Sequence, residues 1–324
     1  MRILVTGGAG YIGSVIVSRL TARGHDVVVY DDLSRGHRAA VAGGVPLVDG
    51  DVRDADAVRD ALLEGGCEAV VHMAALAEVA ESVAEPARYR SVNVDGTAAV
   101  LAAARAADVD RLVFSSTAAV YGAPQRTPID EDDALAPTNP YGETKLAAEE
   151  LLWQARERDG LGATALRYFN ACGADGACGE DHDPESHLVP LALRAARDGT
   201  SIRVFGEDYP TPDGTCVRDY VHVADLADAH IAALEALPAV QGAFNLGTGS
   251  GDSVRAVLDA VEEVTGSTLR RESAPRRAGD PAVLVAGNRR AAERLGWRPR
   301  RSLADAVADA WEWMRAHPAG YPED

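Results

Sequence analysis

The most informative stretch of this chain is Arg2-Ile3-Leu4-Val5-Thr6-Gly7-Gly8-Ala9-Gly10-Tyr11-Ile12-Gly13. A short apolar run leads into a glycine-rich turn, and an amphipathic pattern continues from there to about Arg23. This order is typical of the phosphate-binding turn of a βαβ unit. In such a turn Gly7 permits the tight bend, Gly10 lets a pyrophosphate approach the backbone, and Gly13 lets the helix pack closely on the sheet. The stretch therefore predicts a dinucleotide site at the first strand of a parallel sheet.

Apolar runs alternate with helical patterns to about residue 168, which predicts a doubly wound, mainly parallel sheet. One predicted helix runs from about Pro86 to Ala107, and the predicted strand after it runs from Arg111 to Phe114. Residues 171–187 are rich in Gly, Asp and Pro, and a second region of short strands and helices follows them. We therefore expect an α/β protein with a Rossmann domain at residues 1–170. A smaller C-terminal α/β substrate-binding domain, interleaved with the first, is expected at residues 171–324.

The second predicted strand, residues 26–30, ends at Asp31, which lies eighteen residues beyond Gly13. An acid at this place accepts a hydrogen bond from the 2′-hydroxyl of an adenine ribose and repels a 2′-phosphate, so it favours NAD over NADP. Arg35 in the following loop could instead accept that phosphate. NAD remains the predicted cofactor.

A second motif, Asn139-Pro140-Tyr141-Gly142-Glu143-Thr144-Lys145, predicts a catalytic helix. Asn139 suits the N-cap and Pro140 the first helical position. Tyr141 and Lys145 then share one helix face. A free phenol has a pKa near 10, so it becomes a useful base only where positive charge stabilises the phenolate. Lys145 is the only lysine in the chain and could supply that charge.

Hydroxyl side chains follow the predicted strand 111–114. Ser115, Ser116 and Thr117 come directly before the Tyr141 helix in the chain. Hydroxyls at a strand end often only cap the backbone. The position of Thr117 next to the helix makes it the strongest candidate of the three for a place in the site.

Composition limits the partners. The formal net charge of -18 argues against nucleic acid and against an anionic membrane, since both need clustered basic residues. No run of about 18 apolar residues occurs, so no membrane span is expected. The chain enters a strand at once, without the pattern of a signal peptide, and its four cysteines show no metal or disulfide spacing. A cytoplasmic location with reduced thiols is expected.

The histidines show no metal-ligand spacing, and no metal site is predicted. The loop that carries His182 and His187 is the only place where the sequence would justify checking for one.

Taken together, these motifs resemble the extended short-chain dehydrogenase/reductases. Residues 205–215, 218–223 and 317–322 narrow the resemblance to the UDP-glucose 4-epimerase family, and the resemblance covers nearly the whole chain. It implies an NAD-dependent epimerase that inverts C4 of a UDP-hexose, UDP-glucose or UDP-galactose, through a transient 4-keto sugar. Tyr141 would act as the base, Thr117 would relay or orient the proton, and Lys145 together with the nicotinamide would lower the pKa of Tyr141.

The resemblance also implies the ligand contacts. The cofactor-binding residues would be Gly7, Gly10, Tyr11, Ile12, Gly13, Asp31, Asp32, Leu33, Ser34, Arg35, Gly36, Asp51, Val52, Met73, Ala74, Ala75, Asn93, Ser115, Tyr141, Lys145, Tyr168 and Phe169. The UDP-sugar would contact Thr117, Tyr141, Asn170, His187, Leu188, Arg203, Val204, Phe205, Arg218, Arg277, Asp280 and Leu284. A homodimer is expected, with helices 86–107 and 139–159 pairing across a two-fold axis.

Two features depart from the family pattern. Leu76 and Ala77 stand where many relatives place a lysine near the cofactor, and His187 stands where relatives often carry Asn. The alternatives are a 4-epimerase of another UDP-sugar, such as UDP-GlcNAc, UDP-glucuronate or UDP-xylose, and a catalytically silent NAD-binding regulator. The related 4,6-dehydratases carry acidic residues directly after the Thr, where this chain has Ala118-Ala119.

Overall fold

The computed structural model describes residues 1–277 and 279–322, and strands and helices alternate along most of this length. In chain order the strands are β1 (Arg2–Thr6), β2 (Asp26–Asp31), β3 (Leu47–Asp49), β4 (Ala69–His72), β5 (Arg111–Thr117), β6 (Gly162–Tyr168), β7 (Asn170–Cys172), β8 (Ser201–Phe205), β9 (Val217–Arg218), β10 (Tyr220–His222), β11 (Gly242–Leu246), β12 (Asp252–Ser253), β13 (Arg270–Ala274) and β14 (Val283–Leu284). The helices are α1 (Tyr11–Ala22), α2 (Ala55–Gly65), α3 (Val79–Ala84), α4 (Pro86–Arg90), α5 (Gly96–Ala106), α6 (Pro140–Asp159), α7 (Leu188–Asp198), α8 (Val223–Ala236), α9 (Val254–Thr265), α10 (Arg289–Arg294) and α11 (Leu303–Ala316).

The central sheet has the order β11-β6-β5-β4-β1-β2-β3 among the residues that the structure describes. All neighbouring strands in it are parallel. The chain proceeds outward from β1 to β2 and β3 on one side and from β4 to β5 and β6 on the other. This reversal leaves a crevice at the carboxyl ends of β1 and β4, where open α/β sheets bind their ligands. The predicted doubly wound α/β fold is confirmed.

Helices cover both faces of this sheet. On one face α1 and α8 pack together over a core that includes Val15, Ile231 and Phe244. On the other face α2, α5 and α6 cover a core that includes Leu62 and Leu152. Because the sheet is buried on both sides, its strands read as nearly continuous apolar runs rather than as an alternating pattern.

The part of the chain after residue 170 does not stay apart from the sheet. Helix α8 covers one of its faces, and β11, which the sequence patterns had not indicated, is its edge strand next to β6. In a second region, α7, α9 and α11 share a core around Leu193, Val257 and Val307. Helix α7 was likewise not predicted.

The helix expected from Pro86 to Ala107 is present from Pro86 to Ala106, with a π-helical segment, Ser91–Asp95, between α4 and α5. One predicted boundary was wrong. The strand expected to end at Phe114 continues to Thr117, because the backbone of β5 pairs with β6 as far as Thr117 and Tyr168. The three hydroxyl residues therefore belong to the strand itself. Among the described residues, no helix has both the length and the apolar character needed to cross a bilayer.

Candidate active site

The glycine turn joins β1 to α1 at the crevice. Gly7 has φ +69°, and a Cβ there would lie 2.5 Å from the backbone nitrogen of Ala74, at the end of β4. A Cβ on Gly13 would lie 2.0 Å from the carbonyl oxygen of Gly7. A Cβ on Gly10 would meet only that same oxygen, at 3.4 Å, so Gly10 presents bare backbone to the crevice. Gly10 is also the N-cap of α1 and offers no side-chain acceptor to the first N–H groups of this helix, which suits an anion.

Asp31 ties this turn to the end of β2. Its buried carboxylate accepts hydrogen bonds from the N–H groups of Ala9 and Leu33, both at 2.9 Å. Burial raises the pKa of Asp31, and these two donors act against that rise. Arg35, the residue that could have favoured a 2′-phosphate, donates to the Glu81 carboxylate at 2.8 Å. The Asp31 carboxylate is therefore held at the cleft, while the Arg35 guanidinium is bound by Glu81.

The catalytic motif folds as its sequence predicts. Helix α6 begins at Pro140, and the N–H of Gly142 donates to Oδ1 of Asn139 at 2.9 Å. Tyr141 and Lys145 are both buried on this helix. The Lys145 ammonium donates to the carbonyl oxygen of Ser115 on β5 at 2.9 Å. This hydrogen bond connects the helix that carries the tyrosine to the strand that carries Thr117.

The electrostatics of the site show why Lys145 by itself does not make Tyr141 a base. Burial raises the pKa of Tyr141 above its usual range, the nearby Tyr168 adds to the rise, and a hydrogen bond with the Thr117 hydroxyl opposes it. Burial also lowers the pKa of Lys145 to about 7, although the charge of Glu149 opposes this shift. Desolvation penalises the charged form of both side chains, so the phenol needs a further positive charge to become a base near neutral pH.

A cleft of about 340 Å³ unites most of the predicted site residues. The predicted residues that line it are Gly7, Gly10, Tyr11, Ile12, Gly13, Asp31, Asp32, Ser34, Arg35, Gly36, Val52, Met73, Ala74, Ala75, Ser115, Thr117, Tyr141, Lys145, Tyr168, Phe169, Asn170 and His187. The glycine turn and the Tyr141 helix thus face the same space. Leu76 and Ala77 also line it, at the positions that depart from the family pattern.

Three of the predicted cofactor residues lie beside this cleft rather than along it. The Asp51 carboxylate is bound by the guanidinium of Arg53. Leu33 adopts φ +56° in the turn after Asp31. Asn93 is buried in the π-helical segment, where its amide accepts from the N–H of Leu76 at 2.8 Å and donates to the Leu76 carbonyl oxygen at 3.0 Å. The contact of Asn93 therefore fixes the cleft wall at Leu76.

Most predicted UDP-sugar residues form a separate group in the second region. The guanidinium groups of Arg203 and Arg277 lie 5.4 and 4.3 Å from the ring centre of Phe205. Arg218 donates to the carboxylate of Asp280 at 2.5 Å.

Strand β14 links this group to the cleft. It places Leu284 opposite Arg218 of β9 and against an apolar cluster that includes Phe169, a residue of the cleft wall. Val204 is buried in β8, and Leu188 is the first residue of α7.

Two residues of the cleft wall, Glu180 and His182, were not predicted as part of the site. They line it beside the predicted His187, and together with Glu185 these side chains bring four possible ligand atoms within 4.8 Å of one another. The histidines were noted in the sequence, but their distance along the chain gave no metal pattern. Only the loop conformation brings these side chains together.

A model of the NAD dependent epimerase/dehydratase family matches residues 3–247, and the chain belongs to this family. The prediction of an NAD-dependent enzyme is thereby confirmed. Within the family the chain is similar to UDP-glucose 4-epimerases. It is 49% identical over 326 residues to the one from Streptomyces lividans, covering 99% of this chain and 98% of the relative.

Two solved structures extend the similarity to three dimensions. The UDP-glucose 4-epimerase from Brucella ovis in complex with NAD superimposes with a TM-score of 0.93 at 45% identity, covering 96% of this chain and 98% of that one. The enzyme from Bifidobacterium longum in complex with NAD+ and UDP gives a TM-score of 0.94 at 36% identity, covering 99% and 100%. The family resemblance predicted from the sequence is confirmed.

Proposed function

We propose that this chain inverts the configuration at C4 of a UDP-hexose, with UDP-glucose and UDP-galactose as its first substrates. One observation carries the proposal: Thr117, Tyr141 and Lys145 line the same cleft as the glycine turn at Gly10. An oxidation at C4 needs a base and a dinucleotide within reach of the same carbon atom. The relatives with the same fold bind NAD and UDP, which supports both halves of the proposal.

The residues of the cleft fit NAD. Bare backbone at Gly10 suits a pyrophosphate, and the carboxylate of Asp31 suits a ribose diol. Because Arg35 is bound to Glu81, the negative charge of Asp31 dominates where the adenine ribose would bind. This charge disfavours a 2′-phosphate. When bound, NAD would accept the hydride from C4, give it back to the other face of the 4-keto sugar, and supply a positive charge near the Tyr141 phenol.

Tyr141 acts in this proposal as the base that removes the proton of the sugar 4-hydroxyl, and Thr117 orients or relays that proton. One N–H of the Lys145 ammonium is used by Ser115, which leaves its other donors for a ribose hydroxyl or the phenol. After the 4-keto sugar has turned its other face, Tyr141 returns the proton. Because one phenol serves both directions, the reaction is reversible without a second acid.

The UDP moiety is assigned to the second region. Arg218 and Arg277 would neutralise the pyrophosphate with their forked donors, and Phe205 would stack on the uracil ring. Asn170 and His187, which line the cleft, would contact the sugar or a phosphate oxygen. Asp280 and Leu284 would complete the pocket, with Leu284 near the C2 substituent.

The size of Leu284 keeps N-acetylated sugars, a uronic acid and a pentose open as alternative substrates of the same reaction.

Elimination of water, as in the 4,6-dehydratases, is disfavoured. It requires a proton donor next to Thr117, where this chain has Ala118 and Ala119. The Glu180 carboxylate at the cleft is already paired with His187, at 2.8 Å.

Incubation of the purified chain with UDP-glucose, followed by mass spectrometry and NMR, tests the proposal. Epimerisation gives a product of unchanged mass whose NMR spectrum is that of the galactose isomer, whereas elimination lowers the mass by one water. A panel with UDP-GlcNAc, UDP-glucuronate and UDP-xylose then ranks the substrates. Turnover of one of these three without turnover of UDP-glucose would replace the proposed substrate.

We also propose that two copies pair through α5 and α6 together with α4. A shallow groove between α5 and α6, with Leu101 and Leu151 along it, gives the apolar surface that such a pair needs. Light scattering on the chain and on a Leu101→Arg, Leu151→Arg double variant tests this pairing. A chain that is already monomeric would contradict it.

We further propose that the chain divides into two domains at residue 170 and that the protein is located in the cytosol. We assign residues 1–170 mainly to the dinucleotide and residues 171–324 mainly to the UDP-sugar. The free, buried thiols of Cys67, Cys172, Cys178 and Cys216 suit a reducing cytosol. Reaction with a thiol reagent only after unfolding is the expected result.

A further inference from the structure

The loop before α7 gathers two imidazoles and two carboxylates at the wall of the cleft. Possible ligand atoms of Glu180, His182, Glu185 and His187 all lie within 4.8 Å of one another. Nδ1 of His187 is 2.8 Å from Oε1 of Glu180 and 3.1 Å from Oε1 of Glu185. Nδ1 of His182 is 3.3 Å from the same Glu180 oxygen. From these side chains we propose a binding site for one divalent transition-metal ion, with Zn²⁺ as the best fit.

The spacing of the atoms supports the proposal. Zn²⁺ binds imidazole nitrogen and carboxylate oxygen at about 2.0–2.2 Å, so the ligands of a tetrahedral ion lie about 3.4 Å from one another. The three distances among Glu180, His182, Glu185 and His187 are already close to this value. Small side-chain rotations are therefore enough to admit the ion.

One buried oxygen is an independent sign of a missing ligand. Oε2 of Glu185 is buried and has no hydrogen-bond partner among the described residues, and the guanidinium of Arg194 lies 4.0 Å from it. The Glu185 side chain is only 1% exposed. Its Oε1 accepts from the N–H groups of Ser186 and His187, so the carboxylate is held in place while its second oxygen lacks a donor. A buried carboxylate oxygen without a hydrogen bond is costly, and a metal ion would remove that cost.

The donor set favours Zn²⁺ over Mg²⁺ or Ca²⁺. Those two ions prefer cages made of oxygen alone, whereas imidazole together with carboxylate suits zinc and its transition-metal neighbours. The ion would join Glu180 and His182, on the segment after β7, to Glu185 and His187, at the N-terminus of α7. It would fix the part of the cleft wall that lies beside Tyr11, whose ring meets the His182 ring edge-on at 6.2 Å. The proposed ion therefore positions this wall and takes no part in the proton transfer.

The zinc content of the purified protein tests the proposed site independently of any activity on UDP-sugars. The purified full chain, treated with a chelator and then dialysed against dilute zinc chloride, should retain one equivalent of zinc. The variants Glu185→Gln and His182→Ala should retain a small fraction of it. The matched control is His25→Ala, which removes another histidine paired with a glutamate, 3.5 Å from Glu235, and should retain the full amount. Circular dichroism and the NAD content of each variant show whether it has folded.

Thermal melting and visible absorption give two further tests of the site. The melting temperature of the chain should rise with zinc concentration, because an ion that binds only the folded state stabilises it by mass action. The melting temperatures of Glu185→Gln and His182→Ala should respond much less. Cobalt(II) in place of zinc should give the visible absorption of a nitrogen and oxygen site without a thiolate charge-transfer band. Equal zinc content in the full chain and the two variants would overturn the proposal, and so would a thiolate band.

Discussion

The ammonium of Lys145 donates to the carbonyl oxygen of Ser115 at 2.9 Å, across 30 residues of chain. The lysine side chain is buried, and its ammonium also lies 5.0 Å from the ring centre of Phe114. The only lysine of the protein therefore has one fixed place between helix α6 and strand β5. The charge of this side chain can be tested by titration, and the need for its compact shape can be tested by replacing it with arginine.

The lowered pKa of Lys145 can be measured directly. Because the chain has a single lysine, selective ¹³C-lysine labelling gives one Cε resonance in the NMR spectrum. We expect its shift to titrate near pH 7 in the chain without ligands, since burial lowers the pKa from 10.5 to about 7. Between these two pH values the unfolded chain binds more protons than the folded one, so stability rises with pH there.

The lowered pKa of Lys145 also predicts how the free energy of unfolding depends on pH. The free energy of unfolding of the wild type should rise relative to that of Lys145→Met between pH 7 and pH 10.5, by up to about 1.4 kcal/mol per pH unit. Urea unfolding of both proteins across this range provides the comparison. A resonance that titrates near 10.5, with parallel stability curves, would show that the ammonium is solvated.

Lys145→Arg should lose most of its activity although it keeps a positive charge. A guanidinium is planar and larger than an ammonium, and it cannot keep the Ser115 contact and point further donors at the cleft from the same buried position. We expect kcat to fall at least tenfold, about 1.4 kcal/mol in the barrier, while the fold is kept. A variant with wild-type kcat would show that only the charge matters.

Tyr141→Phe should abolish epimerisation while NAD stays bound. Removal of a general base typically costs about 10²–10⁴ in rate. The matched control is Tyr89→Phe, because Tyr89 belongs to the same apolar cluster as Tyr141 but donates its hydroxyl to the carbonyl oxygen of Glu78. The measurement is the UDP-glucose to UDP-galactose rate together with the cofactor content of both variants. Near-normal turnover by Tyr141→Phe would assign the proton transfer to another group.

Local signals in the sequence predicted the parts of the site that depend on local geometry. The N-cap Asn139 and the one-turn spacing of Tyr141 and Lys145 fix which side chains share a helix face. The glycine turn fixes a close approach of β1 and β4, since a Cβ on Gly7 would collide with Ala74. These predictions needed no knowledge of distant contacts.

Contacts between distant residues were not predictable in the same way. Strand β11 carries the buried Asn245, whose amide donates to the carbonyl oxygen of Ile129 and accepts from the hydroxyl of Tyr121. A polar residue inside a short apolar run weakens the strand pattern, and its partners lie more than a hundred residues away. The gathering of Glu180 and His187 likewise depends on a loop conformation that has no periodic signature.

Asp31→Ala should weaken NAD binding more than UDP binding. The carboxylate holds Ala9 of the glycine turn as well as facing the cleft, so its loss affects both the ribose contact and the turn. Asp31→Asn keeps an acceptor but removes the charge, and we expect it to raise the affinity for NADP relative to NAD. Asp49→Ala, at the paired position on β3, is the control. Calorimetric titration with NAD, NADP and UDP would contradict the role of Asp31 if all three affinities were unchanged.

Glu149→Gln should destabilise the fold more than any surface charge change. Glu149 and Arg167 form an ion pair at 2.6 Å, with side chains only 1% and 4% exposed. Glu149 also accepts from the hydroxyl of Ser116 at 2.5 Å, so it connects α6 to both β5 and β6. Removing one partner leaves a buried guanidinium without its counter-charge, which costs about 3–5 kcal/mol.

The control for this change lies at the end of the same helix. The pair of Arg158 and Asp159 is exposed on the arginine side, and Asp159→Asn should change the free energy of unfolding far less than Glu149→Gln does. Urea unfolding of both variants, followed by tryptophan fluorescence, measures the difference. If Glu149→Gln were no less stable than Asp159→Asn, water would have to reach the Arg167 guanidinium. The helix that carries Tyr141 would then be held to the sheet by apolar packing and by the hydrogen bond from Lys145 to Ser115.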